Sequence, residues 1–268
     1  MSIPEYEHPT ARVVRVEMEV PGTPEEVWRA IATGPGIATW FVPAEVDEHE
    51  GGTIVTHHGP WGDSVGTVTA WEPPHRFAYE ERDYTDKLGA PPWATEILVE
   101  ARSGTCVVRL ISGFFRDSEG WEDQLEGTDQ GWRQGMTNLR LYLTHFAGQP
   151  AANLFAVGQV PGERSEVSAA LLGALGLNGV APGDHLRASG DAPALEGIAE
   201  EAKEHGVLVR TIQPSPGLFE LSAQSYGGVI VVVRGYLYGE GGADVAEREE
   251  ARWQAWLEKR FPELSAPG

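Results

Sequence analysis

Cysteine occurs once in the 268 residues, at Cys106, so the chain has no internal disulfide framework and suits a reducing interior. Positive charge is scarce. Twenty Lys and Arg stand against forty Asp and Glu, a formal net charge of −20. A field of that sign repels phosphate backbones and anionic lipid, so neither nucleic acid nor a membrane surface is expected as a partner. Long apolar runs are missing too. The longest is Val229–Val233, against the roughly 20 residues that cross a bilayer. The first residues show neither a basic n-region nor an apolar h-region, so no secretory signal is expected and the expected compartment is the cytoplasm. No nucleophile elbow, phosphate-binding loop or dinucleotide fingerprint is present. What remains is a globular composition, 41% hydrophobic and 22% charged, in a chain closer to two domains than one.

The order of patterns along the chain sets the fold class. Val14, Val16, Met18 and Val20 alternate with Arg15, Glu17 and Glu19, the period of a half-buried strand. Pro21 and Gly22 stop it. Thr23 can cap a helix with Pro24 at its first position and Glu25 and Glu26 at the positive end of its dipole. A second short helix, Gly36–Phe41, closes on Trp40 and Phe41. Short strands follow near Ala44–Glu48, Thr53–His58, Ser64–Trp71, Arg76–Arg82, Trp93–Ala101 and Thr105–Phe115, divided by Gly and Pro pairs, as in an antiparallel meander. The period then changes. Leu125, Trp132, Met136, Leu139, Leu143 and Phe146 fall on one stripe of a long helix that Ser118 can cap and Glu119 can favour. Gly148, Gln149 and Pro150 end it and mark a boundary.

After the boundary the pattern begins again. Val20-Pro21-Gly22 and Glu26-Val27 return as Val160-Pro161-Gly162 and Glu166-Val167. Ser64–Glu80 runs without a gap against Leu195–Thr211, and Gly104–Phe115 against Gly227–Tyr238. A Trp-bearing helix closes each half, through Trp132 and through Trp253 and Trp256. Leu195–His205 looks helical by propensity, yet the repeat register makes it a strand and turn, and the repeat is preferred. The expectation is therefore an α+β chain of two copies, residues 10–148 and 152–264, the second shortened. Val229–Val233 is apolar on both faces, so the outer face of the second sheet is expected to be covered by the first copy or by a second chain, a homodimer.

The opening Val20–Trp28, the segment Gly36–Phe41, the strand Gly66–Trp71 running into Pro73, and Gly131-Trp132 together resemble the START/Bet v1-like (SRPBCC) superfamily, in the branch similar to the C-terminal domain of the activator of Hsp90 ATPase. The resemblance covers residues 10–148 directly and 152–264 through the repeat. It implies two tandem helix-grip domains, each a curved antiparallel sheet wrapped around a long C-terminal helix over an apolar cavity. It also implies a hydrophobic, polycyclic or polyketide-like ligand and no metal or organic cofactor. Carrier, sequestering and cofactor-free cyclase/aromatase roles all stay open. So do self-sacrificing resistance to an enediyne-like antibiotic and activation of a chaperone ATPase.

Seven of the nine tryptophans lie in the first copy, and the second has nothing like Trp40-Phe41, so the first is the expected binder. Residues expected to line its cavity are Trp40, Phe41, His57, Trp71, Phe77, Tyr79, Trp93, Trp132, Met136 and Leu139, with Tyr79 and His57 as polar anchors; the same tryptophans could instead fill a core. Glu81, Thr95, Arg109 and Tyr142 are further polar candidates. Phe77, Tyr79 and Glu81 share one strand face by parity, and Arg109 is expected outward because Cys106, Val108 and Leu110 make the better inner set. Glu45, Asp47 and His49 could form a loose cluster or a solvated edge. Gly127, Gly131 and Gly135 either mean a helix that starts late, near Gly131, or leave room for a ligand or close packing.

Overall fold

The computed structural model describes residues 12–81, 92–114, 122–225 and 228–266. Residues 10 and 11, Arg82, Phe115, Ser118, Glu119, Trp121 and Gly227 lie outside the described residues, as does the Leu125 side chain. The chain divides into two compact units: residues up to His58 with Gly62–Gly148, and Gln149 onward with the turn Gly59–Trp61.

The first unit runs β1 (Arg12–Pro21), α1 (Pro24–Ala32), α2 (Gly34–Ile37), β2 (Ala44–Val46), β3 (Thr53–His57), β4 (Asp63–Glu72), β5 (Arg76–Glu81), β6 (Trp93–Arg102), β7 (Thr105–Phe114) and α3 (Glu122–His145). Its sheet has the order β1-β7-β6-β5-β4-β3-β2, with every pair antiparallel. Alternation decides which face is inner. Val14, Val16 and Val20 of β1 and Cys106, Val108 and Leu110 of β7 are buried. Arg109 points the other way and pairs with Glu17 at 2.5 Å and Glu100 at 2.7 Å.

α1 begins as its sequence dictates. Thr23 Oγ1 accepts from the Glu26 amide and the Glu26 carboxylate accepts from the Thr23 amide, a reciprocal capping box. α3 starts before Gly127, so Gly127 and Gly131 are helical rather than part of a loop, which corrects the late-start alternative. Its buried stripe is Trp132, Met136, Leu139 and Leu143, continued by Phe146 just past its end.

The second unit repeats the plan: β8 (Ala151–Val160), α4 (Arg164–Leu175), β9 (His185–Arg187), β10 (Glu196–Lys203), β11 (Gly206–Gln213), β12 (Gly217–Ser225), β13 (Val229–Tyr238) and α5 (Gly242–Arg260). Its sheet order is β8-β13-β12-β11-β10-β9, the first unit's order with one strand fewer. β10 is a strand despite its helical propensity, because it pairs along its length with β11. Strand β13 is buried on both faces. Val231 and Val233 join the main core under α5; Ile230 and Val232, 2% and 1% exposed, form a separate cluster with Val157, against which Phe155 packs. The outer edge of β8 is closed by its own unit. Phe155 and Val157 donate their amides to Glu250 and Gln254 of α5, and Gln159 exchanges backbone bonds with Ser265.

Candidate functional site

Register places a row of polar side chains across one end of the inner face of the first sheet. Thr56 of β3 lies opposite Ser64 of β4. Ser64 Oγ donates a very short hydrogen bond to Glu81 of β5. Glu81 lies opposite Trp93 of β6, and Thr95 opposite Ser112 of β7. The Trp93 indole donates to Ser112 Oγ at 2.8 Å, and Ser112 and Thr95 hydroxyls are 2.8 Å apart. Thr56, Glu81, Thr95 and Ser112 are all buried, Glu81 with 7% exposure. Burial disfavours the charged form and pushes the Glu81 carboxyl above its ordinary range; the Ser64 bond opposes this and does not outweigh it.

Aromatic side chains of the first unit form three groups. Phe41 stacks on Trp132 of α3 with ring centres 4.7 Å apart, and Trp40 lies 5.7 Å from Phe41 and 6.4 Å from Trp132. Trp40 is fixed: its indole donates to the Ala30 carbonyl at 2.9 Å, and Asn138 of α3 donates to its backbone carbonyl at 3.3 Å. His58 meets the Phe41 edge at 6.0 Å, and its Nε2 is 3.0 Å from Thr56 Oγ1, which ties this group to the polar row. The second group is Trp28 of α1, Trp71 and Phe77, packed edge to face, with Tyr79 tilted against Phe77. Trp93 and Phe114 form the third, 4.9 Å apart. Met136 and Leu139 of α3 are both 0% exposed.

All ten expected lining residues come from the sheet, the α2 region or α3, but they do not form one surface. Phe41, Trp93 and Trp132 adjoin the polar row. Trp71 and Phe77 belong to the packing beneath α1. His57 is elsewhere: β3 buries Ile54 and Thr56, so His57 faces outward, held 2.8 Å from Asp63 and 3.8 Å from Glu45. It is not an anchor of this site, and strand parity with Ile54 is the reason. Tyr142 is buried at the far end of α3, where its hydroxyl accepts from the Gly148 amide. Glu81 and Thr95 were among the polar candidates of the sequence; Thr56, Ser64 and Ser112 were not singled out, although Ser112 shares the parity of Cys106, Val108 and Leu110.

Asp47 accepts from the Thr53 amide at 3.1 Å, a turn contact. Among the described residues no group of three or more His, Cys, Asp or Glu is arranged to hold a metal ion. Cys106 is fully buried, and burial raises its thiol pKa, with Glu25 and Glu26 adding to the shift. No helix among the described residues is long and apolar enough to cross a membrane. In the second unit a cleft of about 410 Å³ lies between α4 and the β10–β11 turn, with Leu172, Leu177, Asn178 and His205 in its wall; no α5 residue lines it.

Residues 21–144 match the family model described as Activator of Hsp90 ATPase homolog 1-like protein. The match lies within the first unit, which is similar to that family. No curated protein matches the chain. Among solved structures, protein MLL2253 from Mesorhizobium loti is 20% identical, covering 50% of this chain and 98% of its own, with a TM-score of 0.46. Two similar structures span both units. The di-domain ARO/CYC BexL from the BE-7585A biosynthetic pathway is 15% identical over 96% of this chain and 100% of its own, with a TM-score of 0.43. DynU16, from the dynemicin biosynthetic locus, is 16% identical over 94% and 97%, with a TM-score of 0.42. The tandem helix-grip architecture itself rests on the strand order, which the two units of this chain share.

Proposed function

We propose that the first unit binds a hydrophobic, polycyclic or polyketide-like small molecule at the polar end of its inner sheet face, beneath α3. The observation that supports this most is Glu81. A carboxyl buried in an aromatic surround costs free energy that an apolar residue at the same place would avoid, and such groups concentrate at functional sites. Around it the sequence supplies what a ligand site needs: flat aromatic walls from Phe41, Trp93 and Trp132, and a few convergent polar groups from Ser64, Thr95 and Ser112. Binding of this kind serves a carrier or sequestering role. Because Glu81 is an ionisable group on the inner face, the same site could also move a proton on a bound ligand, which is the cyclase-type reading.

Native mass spectrometry of the full chain with fluorene, a flat tricyclic hydrocarbon, tests the reading. One fluorene per chain, retained when Trp253 or Trp256 is replaced by Phe and weakened by Trp132→Ala, is the expected result. A chain that retains no fluorene, or one whose binding is indifferent to Trp132→Ala, would overturn it.

A further inference from the structure

Glu81 and its surroundings say more about the ligand than that it is apolar. Ser64 Oγ donates to one Glu81 oxygen, so that oxygen is used as an acceptor and the other remains for a ligand. The remaining hydroxyls of the row are engaged: Ser112 receives the Trp93 indole proton and shares a hydrogen with Thr95, and Thr56 is bonded to His58. A carboxyl held on one oxygen and carrying its proton on the other presents a single donor.

We propose that the ligand of this site carries a carbonyl oxygen on an aromatic or polycyclic frame, and that the Glu81 carboxyl donates a hydrogen bond to that oxygen while Phe41, Trp93 and Trp132 hold the frame. This rests on the binding reading above and specifies its ligand class. An apolar ligand of the same shape gains the aromatic contacts but not the bond. A carboxylate ligand would meet the Glu81 carboxyl as a second acid, and the chain's net charge of −20 opposes it further.

The proposal carries a pH dependence whose sign follows from the chemistry. The donor is the protonated carboxyl. Burial keeps that form populated above the ordinary carboxylate range, so the bond is available at low pH and is lost as pH rises through the raised value. The groups sharing this end of the face are Thr56 of β3 with His58 just after it, Ser64 of β4, Tyr79 of β5, Trp93 and Thr95 of β6, Ser112 of β7 and Trp132 of α3. Of these, His58 and Tyr79 also titrate, so the test must separate them from Glu81.

Equilibrium dialysis of the full chain against 9-fluorenone and fluorene does so, since the two differ by one carbonyl. The native chain is expected to prefer fluorenone by about tenfold at low pH, the scale of one hydrogen bond made by a buried group, and to lose that preference as pH rises through the raised Glu81 value. Glu81→Gln, which keeps a donor that does not titrate, retains the preference at every pH. Glu81→Leu binds both compounds alike. Equal binding of fluorenone and fluorene by the native chain at low pH would overturn the proposal and leave the binding reading standing. So would a pH dependence that survives in Glu81→Gln, which would assign it to His58 or Tyr79. A chain that binds neither compound removes both.

Discussion

At the scale of single residues, the glycines of α3 show how much local context decides. Gly127 and Gly131 face open space: a Cβ at either would meet nothing within 4 Å. A Cβ on Gly135 would stand 3.2 Å from the Trp40 ring, and that ring cannot easily retreat, since Ala30, Phe41 and Trp132 hold it. Gly131→Ala is therefore expected to raise stability by roughly 0.5–1 kcal/mol through helix propensity alone, read from denaturant midpoints. Gly135→Ala gains the same propensity and loses it to the displaced indole, so it should come out less stable than Gly131→Ala. Equal gains at both positions would mean that Trp40 is not packed as described. The sequence placed these three glycines on one helix face but could not say which had a neighbour, because the Trp40 contact spans almost a hundred residues of chain. Glu81 and His57 teach the same lesson. Parity put Glu81 on the face of Phe77 and Tyr79 without saying which face is inner, and the same rule applied to His57 needed the knowledge that Ile54 and Thr56 are the buried pair.

Elements were more legible than sites, since period and turn chemistry act locally. The six expected strands between Ala44 and Phe115 agree with β2–β7 to within two residues at the ends that are described, as alternation between Gly and Pro dividers requires. β10 was readable only through the repeat, because Glu196–Lys203 favours a helix on its own. The edge of β8 was not readable at all: Glu250 and Gln254 look like solvated helix residues, yet they accept the Phe155 and Val157 amides. Gln254→Ala is expected to cost about 1 kcal/mol by leaving the Val157 amide unpaired, while Gln254→Glu, which keeps an acceptor, costs less. Thermal unfolding of the two variants checks this; identical losses would show that the side-chain acceptor is irrelevant to the edge.

At the scale of the whole molecule, the chain builds the same sheet order twice and equips the two copies unequally. The first sheet carries a buried acid and four hydroxyls at one end of its inner face. The second core is aliphatic around Trp253 and Trp256, with Phe219 between sheet and helix. Unequal tryptophan counts and the missing Trp-Phe pair made this asymmetry visible in the sequence; which face holds the acid needed coordinates. The account's central claim is that the first copy is the binding half. Titration of the ¹⁵N-labelled full chain with 9-fluorenone, followed on the indole N–H resonances, tests it most directly. The expected result is displacement of the Trp93 and Trp132 signals with those of Trp253 and Trp256 unmoved. Saturating shifts at Trp253 and Trp256, with Trp93 and Trp132 unaffected, would contradict it.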